Sequence, residues 1–271
     1  MTGSHLLEAR SLTSGYSGRT VVDGVDLALP AGRISVIVGA NACGKSTLLK
    51  TLSRLISASD GSVVLDGKAI TQIPTKRLAL TLGLLPQQPI APEGIAVADL
   101  VGRGRHPHQK LFRSWTADDD AAVADALDQA GVADLADRTI DELSGGQRQR
   151  VWIAMALAQG TDMLLLDEPT TFLDLAHQID VLDLLTDLNR SRGTTIAMVL
   201  HDINLAARYA DHLFAMRDGR ILASGAPQQI VTPTLIDDVF GLDAEVISDP
   251  VSHTPLVVPR GRHHVTGGQF A

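Results

Sequence analysis

The feature that most restricts what this chain can fold into is a run of three pieces in fixed order. They are the apolar segment Ile34-Ser35-Val36-Ile37-Val38, the glycine loop Gly39-Ala40-Asn41-Ala42-Cys43-Gly44-Lys45-Ser46, and a stretch with leucines at 48, 49, 52 and 55. A short apolar run bounded by turn residues reads as a buried strand, and the leucine spacing predicts a helix over 46–56. The loop between them fits G-x-x-x-x-G-K-S. In such a loop the glycines let backbone N–H groups approach phosphate oxygens, Lys45 reaches the β and γ phosphates, and Ser46 offers its hydroxyl to magnesium. The helix N-terminus behind the loop adds its own attraction for an anion. Glycine-rich turns can match this pattern by chance, but the strand feeding in and the helix leading out are the context that the motif requires. A left-handed conformation at Ala42 would cost about 1–2 kcal/mol, which bears on loop geometry rather than on chemistry.

A second apolar run, Met163-Leu164-Leu165-Leu166, ends in Asp167-Glu168. This is the pattern of a buried strand delivering acids to a phosphate and its metal. Asp167 is expected to hold magnesium through water, and Glu168 to polarise the water that attacks the γ-phosphate. Neighbouring side chains on a strand point to opposite faces, so both acids serve one site only if the strand ends there, and Pro169 supports that ending. In isolation the pair would read as solvated acids. His201 follows an apolar strand, where ligands bind in an open α/β sheet; taken alone it would be a capping or packing histidine. Tyr16, within Ser14-Gly15-Tyr16-Ser17-Gly18, is an exposed aromatic among small residues, suited to stack on adenine. His253, His263 and His264 in the tail read as a polar chain end rather than a metal site.

Between the two halves of this phosphate site lies Leu143-Ser144-Gly145-Gly146-Gln147, followed by Arg148-Gln149-Arg150, which belongs to neither. Helical patterns flank it: residues 118–131 carry Ala122, Val123, Ala126, Leu127 and Ala130 on one stripe, and 147–158 reads as a second helix. Elsewhere the patterns predict strands at 21–29, 62–65, 82–85, 162–166 and 194–200, helices at 175–190 and 203–209, and two short strands around Asp218-Gly219. Strands alternating with helices indicate an α/β chain with a largely parallel sheet covered on both faces. The expected organisation is a core in two parts, 1–88 and 160–230, an inserted helical segment at 89–159, and a tail at 231–271 with one helix at 234–240 and a loose end rich in Gly and His.

With 271 residues, 45% of them hydrophobic, the chain can bury one large core or two modest ones. A formal net charge of −8 argues against nucleic acid as a partner. Cys43 is the only cysteine, so there is no intrachain disulfide and no cysteine-rich metal site, in keeping with a reducing cytosol. The first ten residues have no apolar signal core, and no segment approaches the roughly 18 apolar residues that would cross a bilayer. A role at a membrane would need another chain to do the spanning.

Taken together, over residues 6–262, these motifs resemble the ATP-binding subunit of an ABC transporter. The resemblance implies a P-loop NTPase with a RecA-like core, an antiparallel β subdomain and an inserted helical subdomain, with ATP and Mg2+ as ligands. In that family's terms, Tyr16 stacks on adenine, Gly39 to Thr47 is the Walker A loop, and Gln87 is the Q-loop glutamine, acting in catalysis and on the metal. Asp167 is the Walker B aspartate, which binds the metal together with Ser46. Glu168 is the catalytic glutamate and His201 the switch histidine. Thr171-Phe172-Leu173-Asp174 corresponds to the D-loop, with Thr171 where serine is more usual and Asp174 among the nucleotide-site residues. Leu143 to Gln147 is the signature. In this family two cassettes pair head to tail, so that Ser144 and Gly146, with Gly145 and Gln147 beside them, serve the γ-phosphate held by the other cassette. One chain then holds two half-sites.

Finer similarity points to importers of the iron-siderophore, haem and cobalamin group. It rests on Pro86-Gln87, Pro92-Glu93-Gly94, the segment Val101 to Pro107, the segment Leu200 to Ala210, and Asp249-Pro250-Val251 with Pro255-Leu256 in the tail. Ferric siderophore ranks first as cargo, with haem and cobalamin behind it. The resemblance implies a homodimer on the cytoplasmic face of the membrane, beneath two integral-membrane permease subunits, with an extracytoplasmic substrate-binding protein. A soluble ABC-type ATPase of translation or DNA repair would carry two cassettes or long coiled-coil insertions, and this chain has one cassette and no heptad run. A P-loop kinase or GTPase would leave the signature and His201 unexplained.

Overall fold

A computed structural model describes residues 5–109 and 115–261; the expectation for His263 and His264 lies outside the described residues. The chain opens with β1 (Leu7–Tyr16) and β2 (Arg19–Leu29), followed by β3 (Ile34–Gly39), α1 (Lys45–Leu52), β4 (Ala58–Leu65) and β5 (Lys68–Ala69). Next come α2 (Thr75–Thr81), β6 (Leu82–Leu85), and the helices α3 (Val97–Gly102), α4 (Ala117–Gln129) and α5 (Gly145–Ala158). The α/β pattern returns with β7 (Met163–Asp167), α6 (Leu175–Arg192), β8 (Thr195–Val199), α7 (Ile203–Tyr209), β9 (His212–Arg217) and β10 (Arg220–Gly225). Two short helices, α8 (Pro227–Ile230) and α9 (Pro233–Phe240), lead to a hairpin of β11 (Ala244–Ser248) and β12 (Pro255–Pro259).

One sheet is antiparallel, in the order β2-β1-β4-β5; the other runs β10-β9-β3-β8-β7-β6, parallel except for β10. The period of two along each central strand sorts side chains into two cores. Val36, Leu164, Leu166, Met198 and Ala215 pack toward α3 to α7, whereas Ile37, Met163, Leu165, Val199 and Phe214 face α1 and the antiparallel sheet. An eight-residue helix such as α1 is too short to persist alone. It is held by Leu48, Leu49 and Leu52, all fully buried, each worth about 1.5–3 kcal/mol. The same packing presses its N-terminus against the end of β3, where the glycine loop emerges.

The structure departs from the sequence-based expectations at several places. The first helix ends at Leu52 rather than at 56, because Arg54 adopts φ 65° and donates to the carbonyls of Ile70 and Ile73. Strand β1 was not anticipated, and neither were α2 and α3, of seven and six residues, which are too short to show a full helical stripe. The tail also carries a hairpin that was not anticipated, β11 and β12 pairing in register from Ala244↔Pro259 to Ser248↔Pro255, while the Gly- and His-rich end expected to be loose lies mostly outside the described residues. Asp66-Gly67 closes β4 onto β5, and Asp218-Gly219 closes β9 onto β10, both with positive φ at the two turn residues, as tight hairpins favour. Among the described residues no helix is long and apolar enough to cross a membrane.

Candidate nucleotide site

The glycine loop is held open by contacts that only glycine tolerates. Gly44, which precedes α1, has φ 108°, and a Cβ there would lie 2.9 Å from the Val21 carbonyl oxygen. Ala42 does adopt the left-handed conformation, with φ 61°. Lys45 is buried, and its Nζ donates to the carbonyls of Gly39 and Ala40, each at 2.9 Å. The ammonium is thereby parked over its own loop, on neutral acceptors that a phosphate oxygen can replace. Cys43 turns its side chain into the core, and burial pushes its thiol pKa up.

β7 ends at Asp167, one residue before the chain turns sharply at Glu168, whose φ of 55° is a left-handed conformation for a non-glycine residue. That turn lets two consecutive acids serve one site. Ser46 Oγ donates to Asp167 Oδ1 at 2.8 Å, while Asp167 Oδ2, fully buried, has no partner. Burial raises the Asp167 pKa; the Ser46 hydroxyl bond and the charge of Lys50 oppose it, and the neighbouring Glu168 charge adds to it. A buried, unpartnered carboxylate oxygen beside a serine hydroxyl is a donor set that suits a small hard cation such as magnesium. Glu168 is held from three sides: Gln87 Nε2 at 2.5 Å and Thr171 Oγ1 at 3.0 Å donate to its Oε2, and His201 Nε2 lies 2.6 Å from its Oε1.

Lys45, Ser46, Gln87, Glu168, Thr171 and His201 line one cavity of about 750 Å³, with Asp167 reached through Ser46. Asn41, Ala42, Gly44, Lys45, Ser46 and Thr47 form one wall, with Gly39, Ala40 and Cys43 behind it; Gln87, Glu168, Thr171 and His201 form the opposite wall. Tyr16, 49% exposed, stands at the mouth together with Arg19. Sequence reading missed Arg19. Its cue is that it faces Tyr16 directly across the β1–β2 turn, a relation that exists only once β1 is recognised as a strand. Thr171 was noted only for replacing serine; its hydroxyl bond to Glu168 makes it part of the site.

The remaining sequence-predicted residues lie outside this cavity. Ser144 caps α5: its Oγ accepts from Gln147 N at 3.3 Å, and Gln147 Oε1 accepts from Ser144 N at 3.1 Å, a reciprocal box. Gly145 is open to solvent on its Cβ side, whereas a Cβ at Gly146 would lie 2.4 Å from the His177 ring. Asp174 caps α6 and accepts from His177 N at 3.0 Å, with His177 Nδ1 at 2.6 Å. The turn at the start of α5 and the cap of α6 therefore meet at His177, and neither lines the cavity of the chain's own phosphate loop.

The geometry agrees with what the chain is similar to. The model of the ABC transporter family matches residues 22–171. Ferric enterobactin transport ATP-binding protein FepC of Escherichia coli (strain K12) is 53% identical over 256 residues, 94% of this chain and 94% of that protein. Among solved structures, an inward-facing transporter assigned to the metal-chelate type of ABC transporter superposes with a TM-score of 0.82 at 29% identity, covering 96% of this chain and 98% of that one. The dimeric bacterial ABC transporter cassette MJ0796 superposes with a TM-score of 0.71 at 26% identity, covering 81% and 98%. This chain belongs to the ABC transporter family, as an ATP-binding and ATP-hydrolysing subunit.

Proposed function

We propose that this chain is the motor of a ferric-siderophore importer, two copies pairing head to tail at the cytoplasmic face of the membrane beneath two permease subunits, with an extracytoplasmic substrate-binding protein delivering the cargo. The observation that carries the hydrolytic part is the three-sided hold on Glu168, opposite Lys45 and Ser46 in the same cavity. Glu168 is the general base: its carboxylate is oriented by Gln87, Thr171 and His201 and takes a proton from the attacking water. Lys45 exchanges its two carbonyl partners for phosphate oxygens, and Tyr16 stacks on the base. Magnesium, when bound, would neutralise phosphate charge; Ser46 and Asp167, whose Oδ2 is without a partner, would hold it, joined by Gln87.

Pairing is supported by the separation of the two half-sites within one chain and by the superposition of a dimeric cassette. Ser144, exposed at the helix start, and Gly145 and Gly146 in its first turn offer a hydroxyl and backbone N–H groups suited to the γ-phosphate held by the second copy. Partnership with membrane-spanning subunits is supported by the superposition of a solved transporter, and the cargo by the extent of likeness to the ferric enterobactin protein. The test is uptake of a radiolabelled ferric siderophore in a strain lacking this chain, restored by the wild-type gene and not by Glu168→Gln. Normal ferric-siderophore uptake in the deletion strain, with loss of haem or cobalamin uptake, would overturn the cargo.

A further inference from the structure

The tail hairpin is fastened to the helix that begins two residues after His201. Asn204 and Arg208, four apart on one face of α7, make the fastening. Asn204 brackets a single peptide unit pair of β12: its Nδ2 donates to Val257 O at 3.1 Å and its Oδ1 accepts from Val257 N at 2.7 Å. Arg208 Nη2 donates to Asp249 Oδ2 at 2.8 Å. Asp249 in turn organises the bend between β11 and β12, accepting from Val251 N at 2.7 Å and Ser252 N at 3.0 Å. Beneath these polar clasps, Val257 and Ala244 share a core with Leu205 and Ala206.

At the other end of α7, Asp202 caps the helix by accepting from Asn204 N and Leu205 N at 2.8 and 2.9 Å. His201 is 44% exposed, and its Nε2 lies 2.6 Å from Glu168 Oε1, its one polar side-chain partner among the described residues. It stands between the end of β8 at Val199 and the start of α7 at Ile203, so a shift of α7 acts directly on the backbone that carries it.

We propose that the C-terminal hairpin is a positioning element for the catalytic pair, with Asn204 and Asp249 as positioning residues that hold α7, and through it His201, at Glu168. This rests on the reading of Glu168 as the base and His201 as its partner. A hairpin displaced from α7 would let His201 withdraw and slow hydrolysis without touching the surfaces that bind nucleotide.

The experiment measures steady-state ATPase in the full-length chain assembled with its membrane partners, for Asn204→Ala, Asp249→Asn and His201→Ala singly, and for Asn204→Ala combined with His201→Ala. Asn204→Ala is expected to lower kcat about three- to tenfold with KM for ATP unchanged, and Asp249→Asn to do the same more weakly. In the His201→Ala background the Asn204 substitution is expected to add no further loss. Equal fractional losses in both backgrounds, or a kcat unaffected by either hairpin substitution, would overturn the proposal. Glu168→Gln separates the two levels. If it abolishes turnover while Asn204→Ala changes nothing, only the hairpin inference falls; if Glu168→Gln turns over normally, the underlying assignment falls instead.

Discussion

The phosphate loop and the start of α5 both combine glycine and serine at the start of a helix, yet they are finished to different degrees. In the cavity the two acids already have partners from distant parts of the chain: Ser46 meets Asp167, and Gln87 and His201 meet Glu168. The turn at Ser144 satisfies only itself, through its reciprocal bonds with Gln147, and leaves Gly145 facing solvent. A buried polar group must find its partners within the fold, whereas an exposed helix start can wait for an anion from outside. The first region is a site that folding completes. The second is a surface that a second copy completes.

The largest expected effect breaks the cavity side alone. Glu168→Gln keeps an oxygen and an NH2 in place of the carboxylate, so nucleotide binding is expected to persist while turnover falls by about 10²–10⁴-fold. An ATP-bound dimer should then accumulate, visible as a shift in sedimentation on adding ATP. Turnover at the wild-type rate would remove Glu168 from its role. Lys45→Ala should act one step earlier, weakening ATP binding by about 10–100-fold, since a charge-assisted bond contributes about 1.5–3 kcal/mol. Titration with a fluorescent nucleotide measures it. The dimer should form only at correspondingly higher ATP concentrations.

Gly145→Ala and Gly146→Ala sharpen the other side of the comparison. Both positions are helical, so alanine is intrinsically favoured by about 0.5–1 kcal/mol. At Gly145 nothing lies within 4 Å of the added methyl, and melting should be unchanged or slightly raised. At Gly146 the methyl would sit 2.4 Å from a His177 ring carbon, and that ring is tied to Asp174 at 2.6 Å. A net destabilisation of about 1–3 kcal/mol is expected. Monomer nucleotide binding should survive, and ATP-dependent pairing should not. Adding His177→Ala should restore part of the melting temperature; if it restores none, the ring is not what demands glycine there.

How much of this was legible in the sequence follows the same division. The phosphate loop, the apolar strand ending in Asp167 and the signature Leu143 to Gln147 are local patterns, read from contiguous residues; that Ser144 caps α5 was not read, the helix being expected from 147. Strand β1 was not, because its period of two is broken between Ala9 and Leu12, where Ser11 takes φ 45°. Its inward position 14 holds a serine, fully buried and bonded to Thr51, where an apolar residue would have marked a strand. With β1 unread, Arg19 at the cavity mouth had no visible partner. The tail hairpin was hidden for a similar reason. Its fastening to α7 runs through Asn204 and Arg208, a polar face that in sequence reads as solvent-exposed helix.

The smallest effect tests a backbone strain in the cavity wall. Ala42 lines the cavity at φ 61°, a conformation that costs a non-glycine residue about 1–2 kcal/mol. Ala42→Gly removes that cost but loosens the unfolded chain by about 0.4–1 kcal/mol in the opposite direction. The balance is a gain of about 0.5–1 kcal/mol, or a melting temperature higher by about 1–4 °C for a chain of this size. ATP affinity should change by less than about twofold, because the loop already holds the conformation that glycine would adopt freely. A lower melting temperature would mean that the Ala42 methyl contributes more in contacts than its backbone loses in strain. That would make the loop, like the turn at Ser144, a region whose geometry is settled by what it meets rather than by its own chain.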